Sequence, residues 1–264
     1  MQLTSEQLAN VCAIARDAGR EIMDVYSRDI VSSRKDDDSP LTEADLRADA
    51  VIRQGLTRAF PGTYILSEES AGTPPAGGAR SFFLVDPLDG TKEFLKRNDE
   101  FTVNIALIDD GVPVAGVVFV PALDEMFYGA RGLGCWKSAH GGAARELRVR
   151  SRDGASALRV IGSRSHSGPE LQVWLQELAR AHEFVAAGSS LKFCRIAEGA
   201  ADIYPRMGPT SQWDTAAAQA VLEAAGGAVL DTAGVPMRYG LDRPMLNGHF
   251  VAVGDVSLRY PAIA

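Results

Sequence analysis

No apolar run in this 264-residue chain approaches the roughly 20 residues that span a bilayer. The opening "MQLTSEQLAN" lacks the basic-then-apolar form of a secretory leader, so the protein is expected to stay in the cytoplasm, with contact to a membrane surface left open. Cysteine is scarce: Cys12, Cys135 and Cys194 are three in number, widely spaced and in no Cys-x-x-Cys pattern. That excludes a disulfide scaffold, makes a thiolate metal site a poor fit and points to reduced thiols. Histidine is almost as rare, and His140, His166, His182 and His249 stand at no metal-ligand spacing, which speaks against zinc. Positive charge is in deficit as well. A net charge of -7 and a pI near 5.2 argue against broad binding to nucleic acid, so an anionic substrate would need a locally positive site. Composition leaves monomer and homodimer equally open.

What is present is a substantial core, enough for one large domain or two lobes. Thr4-Ser5-Glu6-Gln7 has capping-box spacing, and Leu8, Val11, Ala15, Ala18, Ile22 and Val25 then recur at helical intervals, so the chain opens on an amphipathic helix. After the Pro40 break, Thr42-x-x-Asp45 starts a second helix whose buried face is expected at Ala44, Ala48, Val51, Ile52 and Ala59. "YILSEES" is a short strand that runs out into Glu68 and Glu69. "SFFLVDPLDGTKEF" (81–94) is a core strand ending in Asp86 and Asp89, with Pro87 and Gly90 marking where pairing should stop. "FTVNIALI" and "VPVAGVVFV" form a hairpin around Asp109-Asp110-Gly111, and "EMFYGA" and "GCWK" continue the antiparallel pattern. Beyond about residue 155, the short strands "ALRVIGS", "FVAAG", "ADIYP" and "GAVLD" alternate with the helical segments "PELQVWLQELARA", "SLKFCRIAEGA" and "WDTAAAQAVLEAAGG". The division predicts an α+β lobe over 1–155 and an α/β lobe over 156–264, with a cleft between them.

Each acid alone has an ordinary explanation. Asp86 and Asp89 suit a turn, Asp45 and Asp214 suit the first turn of a helix, and Glu68 with Glu69 suits a solvated strand end. Their combination carries more weight, because all four elements place carboxylates at strand ends or helix starts, and such termini line clefts. Hard cations such as Mg²⁺ take oxygen ligands and need neither Cys nor His. A gathering of acids would also repel itself unless cations neutralised it.

"LVDPLDGTKEF", with "ILSEES" upstream and "WDTAAAQAVLEAAGG" downstream, resembles the inositol monophosphatase superfamily of magnesium-dependent, lithium-sensitive phosphomonoesterases. Within it, "DDSPLTEAD", "GSRSH" and "GSSLKFCRIAEGAADIYPRMGPTSQWDTAAAQ" look like the bacterial 3′(2′),5′-bisphosphate nucleotidase branch. The resemblance implies an αβαβα layered sandwich of two packed lobes and two or three Mg²⁺ ions. It assigns Glu68, Asp86 and the carbonyl of Leu88 to one ion, and Asp86, Asp89 and Asp214 to another. Asp45 and Thr91 would form the pair that orients the attacking water, with the N–H groups of Gly90 and Thr91 facing the phosphate.

Substrate choice rests on fewer residues. Where inositol monophosphatases carry an acid that holds the polyol, "YPRMGPTSQWD" places Arg206, whose planar fork suits a second phosphate. "DGTKEF" is also nearer the nucleotidase form than "DGTTNF". Gly188, Ser189 and Ser190 precede a helix and could hold phosphate or ribose there, and Ser189 could equally be a simple N-cap. Lys192, Arg164 and His166 are further candidates for the charges of a small phosphorylated nucleotide. The expected reaction is hydrolysis of 3′-phosphoadenosine 5′-phosphate, and of its sulfated analogue, in the clearance of a by-product of sulfate assimilation. An inositol- or sugar-phosphate phosphatase is the rival enzyme, and a nucleotide-binding sensor without catalysis is the rival of another class.

Overall fold

The computed structural model describes residues 1–28, 32–34, 40–70, 72–151, 156–163, 168–178 and 180–263. Helix α1 (Ser5–Tyr26) starts where its spacing predicts, on a reciprocal cap between Thr4 and Gln7, and all six of its expected core positions are buried. A ribbon of β1 (Ser32–Arg34) and β2 (Pro40–Thr42) leads into α2 (Glu43–Ala59). Its buried face departs from the expected one at the C-terminal end. The i, i+4 row Ala44, Ala48, Ile52 and Leu56 carries that face, so Val51 is half-buried and Ala59, which falls off the row, is exposed.

Seven strands form the larger sheet in chain order: β3 (Tyr64–Ser67), β4 (Ser81–Asp89), β5 (Thr102–Asp109), β6 (Val112–Val120), β7 (Glu125–Ala130), β8 (Gly134–Ala139) and β9 (Arg145–Glu146). Only the β3–β4 pair is parallel. The short helix α3 (Thr91–Leu95) follows β4. Asp110 and Gly111 close the β5–β6 hairpin at φ 53° and 75°, the positive values that a primed two-residue turn requires.

The second sheet comprises β10 (Leu158–Ser163), β11 (His182–Ala187), β12 (Ile203–Arg206), β13 (Ala228–Asp231) and β14 (Phe250–Val253), in the order β11-β10-β12-β14-β13. Helices α4 (Pro169–Glu177), α5 (Leu191–Ala197) and α6 (Gln212–Ala224) belong to this part of the chain. Strand β14 has no counterpart in the sequence reading. Its four apolar residues follow a stretch rich in glycine and proline, and they pair antiparallel with β12 and β13.

Side-chain alternation stacks the layers. On β4, Phe83 and Val85 join the core of α1 and α2, whereas Phe82 and Leu84 point into the core that holds α5 and α6. Tyr204, Phe250 and Ala252 of the second sheet meet that same middle core, and Ile203, Val251 and Val253 pack with Trp174 of α4 on the far side. The result is the αβαβα sandwich. Within it, α6 lies so close to β6 that a Cβ on Gly116 would come 2.1 Å from the carbonyl oxygen of Ala217. Among the described residues, no helix is long and apolar enough to cross a membrane.

Candidate metal and phosphate site

The end of β4 departs from expectation in an informative way. Pairing does not stop at Pro87: the ladder breaks after Asp86, opposite Asn104, and resumes at Asp89, opposite Thr102. Proline has no N–H to donate, and the N–H of Leu88 is taken by Asp86 Oδ1 at 3.0 Å, so neither residue can continue the ladder. A bulge of this kind bends the strand and re-aims its side chains. Gly90 follows at φ 90°, a left-handed conformation that a side chain would strain, and turns the chain into α3.

Two more acids come from helix starts and are fixed by the same device. Asp45 is the third residue of α2, and its Oδ2 accepts from the N–H of Thr42 at 2.8 Å and from the Thr42 hydroxyl at 2.6 Å. Its Oδ1 faces the hydroxyl of Thr91 at 3.5 Å, and that hydroxyl also lies 3.4 Å from the carbonyl oxygen of Leu88. Asp214 holds the equivalent place in α6, with Oδ2 accepting from the N–H of Ser211 at 2.8 Å. In both helices the acid serves the helix end and reaches inward as well.

Glu68 extends β3, its N–H donating to the carbonyl of Val85. The turn that carries it is held by Asp49, one helical turn beyond Asp45 on α2. The hydroxyls of Ser67 and Ser70 donate to its two oxygens, each at 2.6 Å. The i, i+4 spacing of Asp45 and Asp49 on the buried face of α2 is the signal in the sequence that would have identified this support.

These elements bring carboxylate oxygens of Glu68, Asp86 and Asp214 within 4.8 Å of one another. Asp86 is 2% exposed, and its carboxyl is pushed well above the usual range, by burial first and then by the charges of Glu68, Asp89, Asp214 and Asp45. Burial and the Asp89 charge likewise raise Asp214. Asp89 stands at about 6, raised by burial and opposed by the nearby Lys192 ammonium. Its Oδ2 accepts from the N–H of Ser190 at 2.5 Å and lies 3.4 Å from Thr102 Oγ1 and Asn104 Nδ2. Thr102 and Asn104 went unread in the sequence, although two fully buried polar residues at alternate positions of an apolar strand are a visible signal. A buried set of mutually repelling carboxylates, with no His or Cys among them, fits a hard divalent cation.

Beside the acids lies a cavity of about 110 Å³ whose wall includes Asp89, Gly90, Asp214, Ser189, Lys192 and Arg206. Lys192 is buried with its ammonium donating to the carbonyl of Ser189 at 2.5 Å, and burial lowers its pKa to about 8. Ser190 links β5 to α5, its hydroxyl donating to Asn104 Oδ1 at 2.7 Å, and the N–H of Gly188 donates to Glu100 at 2.8 Å. Arg206 donates from Nη2 to the carbonyl of Pro209 at 2.8 Å, while its buried Nε–H has no acceptor among the described residues. The sequence reading did not single out Ser163, Tyr204, Thr210 and Thr215 of the same wall. Arg164 and His166 lie outside the described residues.

A model of the inositol monophosphatase family matches residues 4–254. A 3′(2′),5′-bisphosphate nucleotidase CysQ of Salmonella typhimurium is 49% identical over 249 residues, covering 92% of this chain and 98% of the relative. Its counterpart from Escherichia coli K12 is 48% identical over 251 residues, with the same coverage of 92% and 98%. The crystal structure of CysQ from Bacteroides thetaiotaomicron, described as a bacterial member of the inositol monophosphatase family, superimposes with a TM-score of 0.81 at 36% identity, covering 94% of this chain and 97% of that one.

Proposed function

The chain belongs to the inositol monophosphatase family, and on that premise we propose that it is a 3′(2′),5′-bisphosphate nucleotidase, a phosphoric monoester hydrolase that converts 3′-phosphoadenosine 5′-phosphate to AMP and phosphate with Mg²⁺. The observation that carries the reading is the cavity in which the acids Asp89 and Asp214 face the cations Lys192 and Arg206. Such a wall suits a substrate with two phosphates, one beside the carboxylates and one beside the arginine, whose buried Nε–H has no acceptor among the described residues. The names of the CysQ relatives support the same substrate class.

Glu68, Asp86, Asp89, Asp214 and the carbonyl of Leu88 would hold the ions. When bound, Mg²⁺ lowers the pKa of the attacking water and offsets charge on the transferring phosphoryl group. Thr91 donates its hydroxyl proton to Asp45 Oδ1 and offers its lone pairs to the attacking water, so Asp45 receives the proton through Thr91. The second hydrogen bond of Asp45, to the start of α2, keeps its carboxylate from turning away. Gly90 leaves room for the phosphate, and Ser189 and Ser190 border the ribose, whereas Gly188 is not in the cavity wall and donates its N–H to Glu100. Water oxygen then bonds to phosphorus while the ester P–O bond breaks, and the departing ribose oxygen takes up a proton.

The same reading covers the sulfated analogue as a second substrate, inhibition by Li⁺, a cytoplasmic setting within sulfate assimilation, and a division into two lobes near residue 155. Phosphate release from 3′-phosphoadenosine 5′-phosphate and from inositol 1-phosphate, with and without Mg²⁺, tests it. Magnesium-dependent release from the nucleotide that collapses in Asp86→Asn is the expected result. A clear preference for inositol 1-phosphate would overturn the role of Arg206, and nucleotide binding without any release would make the protein a sensor.

A further inference from the structure

Glu93 stands three residues beyond Gly90 on α3 and lines the same cavity as Asp89, Lys192, Arg206 and Asp214. Two glycines fix it there. A Cβ on Gly188 would come 2.9 Å from Glu93 Cγ, closer than side chains tolerate, and one on Gly90 would come 3.4 Å from Glu93 Oε2. The stem of Glu93 therefore shares with Glu100 the space that Gly188 vacates, and half-buried Glu93 lines the cavity. No hydrogen bond or ion pair reaches that carboxylate among the described residues, whereas neighbouring Glu100 accepts from the N–H of Gly188.

A partly desolvated carboxylate without a donor is unfavourable, so its place in a substrate cavity calls for a donor on the ligand. Phosphate cannot serve, because two anions repel and the phosphates already have Lys192, Arg206 and the cation site. Glu93 shares a wall with Asp89 and Asp214, and its Oε2 lies against Gly90, the residue that follows Asp89, which puts it beside the reacting end of the substrate. The donor at that end is the sugar hydroxyl next to the scissile ester. We propose that Glu93 accepts a hydrogen bond from the hydroxyl vicinal to the scissile phosphate and so selects ribose over 2′-deoxyribose substrates. The identity of the sugar rests on the nucleotidase reading; the acceptor role holds for any phosphate ester with a vicinal hydroxyl.

The test compares kcat/KM at saturating Mg²⁺ for 3′-phosphoadenosine 5′-phosphate and its 2′-deoxy analogue, in the wild type and in Glu93→Ala. A hydrogen bond to a charged acceptor predicts a wild-type preference for the ribo substrate of about 10–100-fold. Glu93→Ala should lose about that factor on the ribo substrate alone, bringing the preference near one. Equal losses on both substrates, or no wild-type preference, would overturn the proposal. So would a raised Mg²⁺ requirement in Glu93→Ala that is the same for both, since it would make a cation the partner of Glu93. Glycerol 2-phosphate, which has vicinal hydroxyls, and isopropyl phosphate, which has none, form a second pair. Discrimination within that pair that vanishes in Glu93→Ala, with no release from the nucleotides, would refute the nucleotidase reading and sustain the role of Glu93.

Discussion

Replacing Asp49 by alanine isolates the support of Glu68 from the metal-facing acids themselves. Asp49 takes hydrogen bonds from Ser67 and Ser70, both at 2.6 Å, and Ser67 is fully buried. Removing the carboxylate leaves the Ser67 hydroxyl without its acceptor, which costs about 1–3 kcal/mol, while half-buried Ser70 can turn to water. For a chain of this size that lowers Tm by roughly 2–12 °C, at about 2–4 °C per kcal/mol. The larger effect should fall on metal affinity, because groups that orient metal ligands typically account for about 10–100-fold. The assay is phosphate release as a function of Mg²⁺ concentration, paired with thermal unfolding without the ion. Asp49→Ala should raise the Mg²⁺ needed for half-activation by about that factor, and Asp49→Asn, which keeps one acceptor oxygen, should raise it less. A variant that loses stability while its Mg²⁺ requirement stays at the wild-type value would refute the reasoning.

Glu198 is held below the usual glutamate range because, although burial raises it, hydrogen bonds from Arg195 and Lys137 outweigh that effect. Its contribution is therefore present above about pH 4.3, the unfolded value, and is lost as pH falls through the lower folded value. In urea unfolding, Glu198→Gln should be less stable than wild type near neutrality, and the gap should close in acid; a gap that persists there would contradict this. Burial pushes Cys12 and Cys135 up to about 12 and raises Cys194 too, so a thiolate-directed disulfide reagent at pH 8 should leave the native protein unlabelled and react with three thiols once it is unfolded. Gly116→Ala would force α6 away from the sheet and should destabilise the fold by about 1–3 kcal/mol or more in chemical denaturation.

The longer helices and the long strands were legible because their signals are local: the Thr4–Gln7 cap, the i, i+4 row of α2 and the Asp110-Gly111 turn each stand within a few residues, whereas the five-residue α3 went unread. The acids were legible for the same reason, each at a strand end or a helix start. Their support was harder to read, since Asp49 acts on a turn about twenty positions away and Ser190 reaches Asn104 on another strand. Strand β14 went unread although "FVAVG" is as apolar as "FVAAG"; its place between β12 and β13 comes only from the pairing. The bulge at Pro87 was misread as a stop because the sequence shows the missing N–H and not the re-pairing of Asp89 with Thr102.

The carboxylates of Asp45 and Asp214 each divide their oxygens between two duties, with Oδ2 on the N–H that opens a helix. Exchanging the other oxygen for an amide nitrogen would leave the helix start intact, and the cap would dictate which way the amide points, since only its oxygen can accept from that N–H. A single Asp→Asn change at either site would thus put a donor where the proposed reaction needs an acceptor, with little effect on folding. In evolutionary terms, the route from a hydrolase on this scaffold to a folded protein that binds without turnover is one substitution long, and each of these two helices offers a starting point for it.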